Sequence, residues 1–84
     1  MQHYLIMCRS LTYAQRAQQA LERAGIPAAV VKAPQSVSGT GCAYGVRTGA
    51  HKIKTALAVL EPTGLPVGKI YRYEEDGSLT EVSV

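Results

Sequence analysis

Short apolar runs bounded by polar residues and turn formers alternate along the chain with segments of helical periodicity. The first apolar run, residues 3–9 (HYLIMCR), is short for a helix and suits a buried strand. Residues 28–32 (AAVVK) and 67–73 (VGKIYRY) predict two further strands. Residues 42–47 (CAYGVR) predict another strand, which Gly45 weakens. The pattern therefore predicts four strands.

Two segments between these strands carry apolar residues at helical spacing. The recurring positions are Ala14, Ala17, Leu21 and Ala24 in the first segment, and Ile53, Leu57 and Leu60 in the second. Ser10 or Thr12 offers a hydroxyl that caps the first helix, and Gly25 favours its end near residue 24. The second helix is predicted to begin at Thr48 or Gly49. Pro and Gly residues after position 60 end it.

These elements follow one another in the order βαββαβ. Because this order folds into an antiparallel sheet with both helices on one face, we expect an α+β, ferredoxin-like sandwich with four strands. The Asp-Gly pair at positions 76–77 is a hairpin signal. Residues 78–84 are therefore either an extra C-terminal strand or a loose tail.

Length and composition limit the size of the core. The 84 residues accommodate a single domain, residues 1–84, with its core in residues 3–73 and a C-terminal hairpin extension or tail in residues 74–84. Trp and Phe are absent, so Leu, Ile, Val, Ala and Tyr must fill a small core. A second copy would cover apolar surface that one short chain leaves exposed. We therefore expect a homodimer through the open face of the sheet.

Neither a membrane span nor a targeting segment is predicted. No apolar run approaches the roughly 18–20 residues that cross a bilayer, and the first residues lack the basic, apolar and small-residue regions of a signal peptide. We therefore expect a cytoplasmic protein without a membrane partner. The formal net charge of +3 is dispersed along the chain and does not by itself select an acidic partner or RNA.

The two cysteines, Cys8 and Cys42, are the candidate reactive groups. Two are too few for a disulfide framework, so we expect free thiols. In the predicted topology the first strand ends and the third begins at one edge of the sheet, which places both cysteines there. Arg9, Lys32 and the amino end of the first helix at Ser10 share that edge, and positive charge favours the thiolate over the thiol.

The residues before Cys42 admit two interpretations. Ser38, Gly39, Thr40 and Gly41 form a glycine-containing loop, and Gly45 follows. Missing side chains would let another protein approach the sulfur closely, which is the functional interpretation. Alternatively the glycines only allow a tight turn around a small buried cysteine. Both stay open for Cys42, whereas the apolar surroundings of Cys8 favour packing.

Several stretches of the chain together resemble a known family. They are Tyr4-Leu5-Ile6, Ser10 before a helix that ends in Gly25-Ile26-Pro27, the loop from Pro34 through Ser38, and Gly41-Cys42. Over residues 3–73 the chain is similar to small bacterial selenium/sulfur carrier-like proteins. The resemblance implies that Cys42 holds a sulfur or selenium atom as a transient persulfide or selenosulfide. It also implies a donor, such as a cysteine desulfurase, and an acceptor enzyme as partners.

This chain departs from the family pattern at two positions of the loop. Gln35 stands where an Arg is frequent, and Ala43 stands where a Gly is frequent after the cysteine. The spacing from Pro34 to Cys42 is also longer by one residue. Loss of the Arg removes one cation near the sulfur. In the mechanism that the resemblance implies, Cys8 is a candidate resolving thiol for Cys42.

Metal and nucleic-acid binding are competing chemistries. His3, His51 and the cysteines are potential metal ligands, but Gly45 stands where a GTGC metal loop needs its second cysteine. We predict no metal site. Tyr4 and Tyr44 fall on candidate central strands, as the stacking aromatics of RNA-recognition modules do, yet the aromatic-rich motif of those modules is absent. Nucleic-acid binding is not expected.

A second class of function uses the same fold without thiol chemistry. No phosphate loop or Ser-His-acid set is recognisable, so a carrier is expected rather than an autonomous enzyme with a bound cofactor. The alternative is a regulatory or protein-interaction module in which the cysteines are only packing. Tyr71 and Tyr73 alternate onto one face of the fourth strand, where they cover the sheet or contact a second copy.

Overall fold

An antiparallel sheet carries two α-helices in the computed structural model, which describes residues 2–33, 44–65 and 67–83. The strands are β1 (His3–Cys8), β2 (Ala28–Lys32), β3 (Tyr44–Gly49), β4 (Val67–Tyr73) and β5 (Leu79–Val82). The α-helices are α1 (Leu11–Arg23) and α2 (Ile53–Leu60), and single 3-10 turns at Ala50–Lys52 and Glu61–Thr63 flank α2. No described helix combines the length and the apolar character that crossing a membrane requires.

The strand order across the five-stranded sheet is β2-β3-β1-β4-β5, and each neighbouring pair is antiparallel. Strand β1 lies at the centre, where Ile6 is opposite Val46 on one side and Ile70 on the other. The predicted α+β class is confirmed. The sheet has one strand more than the four of the predicted core, because the chain after β4 pairs with it as β5.

The ends of α1 follow from its flanking residues. Ser10 is the N-cap, and its hydroxyl oxygen accepts a hydrogen bond from the backbone N–H of Tyr13 at 3.3 Å. At the other end Gly25 has a φ of 80°, and the N–H of Ile26 bonds to the carbonyl of Leu21 at 2.9 Å. This is a Schellman motif, in which a left-handed glycine reverses the chain after the helix. Thr12 is inside the helix and does not cap it.

Strand β3 ends later in the chain than the sequence predicts. Strand β3 extends to Gly49, so the second helix does not begin at Thr48 or Gly49. The reason is that Thr48 is buried in the sheet, and its hydroxyl donates to the carbonyl oxygen of Pro27 at 3.3 Å. A 3-10 turn then leads into α2. The predicted start of β3 at residues 42–43 lies outside the described residues.

The two faces of the sheet bury different side chains. Both helices pack against the face that carries Ile6 and Val46, and their buried side chains there are Ala14, Ala17, Leu21, Ile53, Ala56 and Leu60. The opposite face carries a smaller cluster around Leu5, Ala33 and Tyr71. Tyr73 packs against that cluster too, which confirms that the two tyrosines share a face. The predicted α1 stripe ends at Leu21, because Ala24 is the exposed C-cap.

A hairpin turn connects β4 to β5. Gly77 has a φ of 88°, which favours glycine, and the carboxylate of Asp76 accepts hydrogen bonds from the backbone and hydroxyl of Ser78. The bond from the Ser78 hydroxyl is the main cause that lowers the pKa of Asp76. The Asp-Gly signal therefore marks a real hairpin, and the alternative of a loose tail is wrong for Leu79–Val82.

Gly45 belongs to the packing of the sheet. It is buried in β3 between Met7 of β1 and Val31 of β2. A Cβ atom at this position would lie 2.7 Å from the carbonyl oxygen of Ile6 and 2.7 Å from Cδ1 of Leu5. The Leu5 side chain thus occupies the space that any other residue at position 45 would need, which explains a glycine inside a central strand.

We predict that Gly45→Ala lowers the free energy of unfolding by about 1–3 kcal/mol, because the methyl group overpacks a site closed by backbone. Gly68→Ala is the matched control, since its Cβ would meet Met7 atoms at an ordinary 3.4 Å on an exposed part of β4. Urea denaturation of both variants measures the difference. Equal losses of stability would contradict the packing role of Gly45.

Candidate thiol site

Four strand ends meet at one edge of the sheet. Tyr44 at the start of β3 is opposite Cys8 at the end of β1 and opposite Lys32 at the end of β2. Cys8 is also opposite Val67 at the start of β4. We call this edge, defined by Cys8, Lys32, Tyr44 and Val67, the thiol edge. The described residues thus bring together the strand ends that the predicted topology places side by side.

The amino end of α1 and two cations lie at the thiol edge. Ser10 caps the helix directly after Arg9, so the positive end of the helix dipole is two residues from Cys8 in the chain. The side chains of Arg9 and Lys32 are exposed. Anionic groups are favoured beside such charges. The predicted helix cap at Ser10 is therefore confirmed, and the roles of Arg9 and Lys32 at the thiol site stay predictions.

Cys8 itself is a packed thiol. Its side chain points to the helix-bearing face, is only 8% exposed and belongs to the main core cluster. The Sγ atom lies 3.8 Å from the carbonyl oxygen of Ile6, to which the thiol donates. Burial raises the pKa of Cys8, since the charged thiolate loses solvation there. The protonated form of Cys8 is therefore favoured, in spite of the cations on the surface of the same edge.

The loop part of the predicted site lies outside the described residues. Cys42, predicted to be the reactive thiol, belongs to this part, together with Ser38, Gly39, Thr40 and Gly41. The departures from the family pattern at Gln35 and Ala43 also fall there. The prediction for these residues stays a prediction. The described part of the site consists of Cys8, Arg9, Ser10 and Lys32.

Two exposed apolar side chains at the thiol edge were missed by the sequence reasoning. Leu11 is 41% exposed at the first position of α1, and Val67 is 43% exposed at the first position of β4. Among the described residues, these are the large hydrophobic side chains that remain exposed. The helical pattern carried a signal for Leu11, because it lies outside the buried stripe of Ala14, Ala17 and Leu21.

The histidines lie at the opposite end of the sheet. His3 begins β1 and is opposite Gly49 at the end of β3, and both His3 and His51 line a cleft there. They are therefore separated from Cys8 by the length of a strand. Within residues 2–33, 44–65 and 67–83, no three potential metal ligands are grouped.

The fold and the thiol edge define a small α+β protein with a cationic strand end next to a capped helix. Over residues 3–72 the chain matches the family model described as "Putative Se/S carrier protein-like", and it belongs to this family. The match confirms the resemblance seen in the sequence. It includes β4 up to residue 72 and leaves the hairpin turn and β5 outside. The same comparisons found no match among curated proteins or solved structures.

We predict that Cys8 is protected from alkylation. In a Cys42→Ser variant Cys8 is the one remaining thiol, and its labelling by iodoacetamide at neutral pH should be at least about tenfold slower in the folded chain than in denaturant. Because its pKa is raised in the folded state, the labelling rate should rise only above the ordinary thiol range. Equal rates in folded and unfolded protein would contradict the burial of this thiol.

Proposed function

We propose that this protein carries sulfur or selenium on Cys42, as a persulfide or selenosulfide, between a donor and an acceptor enzyme. The observation that supports the proposal most is the position of the thiol edge relative to the loop that contains Cys42. Both described neighbours of that loop are at this edge, because Ala33 directly follows Lys32 and Tyr44 is opposite Cys8 and Lys32. Membership of the carrier family supports the same function.

The length of the chain limits how far Cys42 can lie from this edge. Cys42 precedes Tyr44 by two residues, which span at most about 7 Å even when fully extended. Tyr44 is in turn directly opposite Cys8 and Lys32. In the proposal, the cations and the helix end at this edge stabilise a thiolate at position 42, because positive charge lowers a thiol pKa.

In the proposed loading step, the Cys42 thiolate attacks the terminal sulfur of a donor persulfide. A new S–S bond forms to Cys42, the S–S bond of the donor breaks, and the donor leaves as a thiolate. No external oxidant is needed, because the sulfur keeps its oxidation state. An acceptor nucleophile then attacks the outer sulfur and releases the Cys42 thiolate. A selenosulfide follows the same sequence.

Cys8 offers a second way to release the atom. If the Cys8 thiolate attacks the inner sulfur of the Cys42 persulfide, a Cys8–Cys42 disulfide forms and the outer sulfur leaves as hydrosulfide. The two cysteines are oxidised and the outer sulfur is reduced, and an external thiol must then reduce the disulfide. Burial and a raised pKa make Cys8 a poor nucleophile in the folded state. Direct transfer to the acceptor is therefore the favoured route.

Leu11 and Val67 are suited to contact the donor and acceptor proteins. Apolar side chains in the centre of a protein–protein interface become buried when the partner binds. A partner that docks there would cover both side chains and place its own sulfur at the thiol edge.

The interaction module is the second candidate function, and the packing of Cys8 favours it. Cys8 fills a place in the core as a small apolar residue would. In this alternative the thiol edge binds a partner through Leu11 and Val67 without any chemistry at Cys42. The two candidate functions predict different reactivity of the Cys42 thiol.

Two further properties belong to the proposal. The ferredoxin-like classification is supported by the order β2-β3-β1-β4 in the sheet, with β5 added at the edge. The homodimer through the open sheet face has weaker support, because Leu5 and Tyr71 on that face are already buried within one chain.

The carrier function predicts that incubation with a cysteine desulfurase and cysteine adds one sulfur atom, about 32 Da, to the wild-type protein. Intact-mass spectrometry measures the gain, which a thiol reductant should remove. Cys42→Ser should gain nothing, whereas Cys8→Ala should load like the wild type. An unmodified wild type with several persulfide donors, or loading of Cys42→Ser, would contradict the proposal.

The same experiment tests the cations of the thiol edge with matched charge variants. Arg9→Gln with Lys32→Gln should slow loading several-fold, about 3- to 10-fold, because the thiolate loses stabilising charge. Arg23→Gln with Lys54→Gln removes the same charge from exposed positions of the helices away from this edge. If both double variants slow sulfur loading equally, the loading rate depends on the net charge of the protein and not on the cations of the thiol edge.

A further inference from the structure

A second candidate site lies at the end of the sheet opposite the thiol edge. It is a cleft of about 520 Å³ between the end of β3, the starts of β1 and β2, and the 3-10 turn before α2. Basic side chains from three elements line it: His3, Arg47, His51 and Lys52. The volume is in the range of sites for small organic ligands. The function proposed for Cys42 does not use this cleft.

No acidic side chain among the described residues lines the cleft. All six acidic residues of the chain lie within the described residues, and none of them lines the cleft. In the described parts of the chain the ion pairs are Lys69–Glu81 and Arg72–Glu74. Neither involves Arg47 or Lys52. The positive potential of the cleft is therefore available to a ligand.

Two hydrogen bonds fix the walls of the cleft. Thr48 is buried, and its hydrogen bond to the carbonyl oxygen of Pro27 joins β3 to the start of β2. The Gln18 side chain of α1 donates to the carbonyl oxygen of Ala28 at 3.0 Å. Pro27, Ala28 and Ala29 form an apolar wall beside the basic residues. Such a wall suits an uncharged organic part of a ligand.

Gly49 leaves room for one of the basic residues. A Cβ atom at position 49 would lie 3.1 Å from Cε1 and 3.3 Å from Nδ1 of His51. The imidazole therefore rests against the backbone at the end of β3, and a side chain at position 49 would require the ring to shift by a few tenths of an ångström. His3 is directly opposite Gly49 across the β1–β3 pair, so both imidazoles lie at the same end of the sheet.

From this arrangement we infer that the cleft binds a phosphate monoester with a compact organic body, of about the size of a mononucleotide. Arg47 can bind phosphate oxygens through two parallel N–H donors, and Lys52 adds a point charge. The imidazoles of His3 and His51 supply further N–H donors. The organic part of the ligand contacts the apolar wall at Pro27 and Ala29.

The test is an NMR titration of the isotopically labelled, full-length protein with three probes: adenosine 5′-monophosphate, inorganic phosphate and adenosine. The expected result is saturable shifts of backbone amides around Ala29, Thr48 and Gly49 with the monophosphate. Phosphate alone should bind more weakly at the same place, since it lacks the organic part. Adenosine should bind at least about fivefold more weakly than its monophosphate, because it lacks the charged group.

Charge variants distinguish specific binding in the cleft from nonspecific electrostatic attraction to the whole protein. Arg47→Gln and Lys52→Gln should each weaken binding of the monophosphate at least about fivefold. Lys54→Gln removes the same charge from an exposed position of α2 outside the cleft and should change binding less than about twofold. The amide spectrum of each variant reports whether it is folded.

Several results would overturn the inference. These are no shifts up to about 10 mM monophosphate, an equal effect of Lys54→Gln and Lys52→Gln, or equal binding of adenosine and its monophosphate. A short RNA that binds much more tightly than the monophosphate, with shifts along the whole sheet, would indicate a nucleic-acid surface instead.

Discussion

The pairing of β1 with both β3 and β4 is the constraint on which the structure depends. Ile6 and Leu5, adjacent on this central strand, are fully buried on opposite faces of the sheet. A shift of one residue would exchange the two faces, so the register is strongly determined. The same register places Cys8 opposite Tyr44 at one end and His3 opposite Gly49 at the other. The register of β1 therefore determines which residues meet at both candidate sites.

The two ends of the sheet therefore have different chemistry. The thiol edge combines a buried thiol with exposed cations, exposed apolar side chains and the amino end of α1. The opposite end has a cleft with basic side chains and an apolar wall. The two ends are separated by the length of the strands. The proposed ligand cleft therefore lies away from the edge where donor and acceptor are proposed to bind.

Local signals in the sequence predicted much of the fold. Gly25 and the apolar Ile26 after it determine how α1 ends, and the Asp-Gly turn at positions 76–77 predicts the hairpin that adds β5. Other features depend on distant residues. The end of β3 depends on the contact of Thr48 with Pro27, and the role of Gly45 depends on Leu5, which is 40 residues away. For the site, the apolar run around Cys8 predicted its burial, whereas the grouping of His3 with His51 arises only from the folded sheet.

The proposed carrier function requires an ionised and accessible thiol at Cys42, whereas the thiol of Cys8 is buried. Site-resolved alkylation of the wild-type protein from about pH 5 to about pH 10, read by peptide mapping, measures both thiols at once. The account predicts that the labelling rate of Cys42 reaches half its maximum below about pH 8. A rate that rises only above about pH 8, as for an ordinary thiol, or a Cys42 that resists labelling in the folded protein, would contradict it.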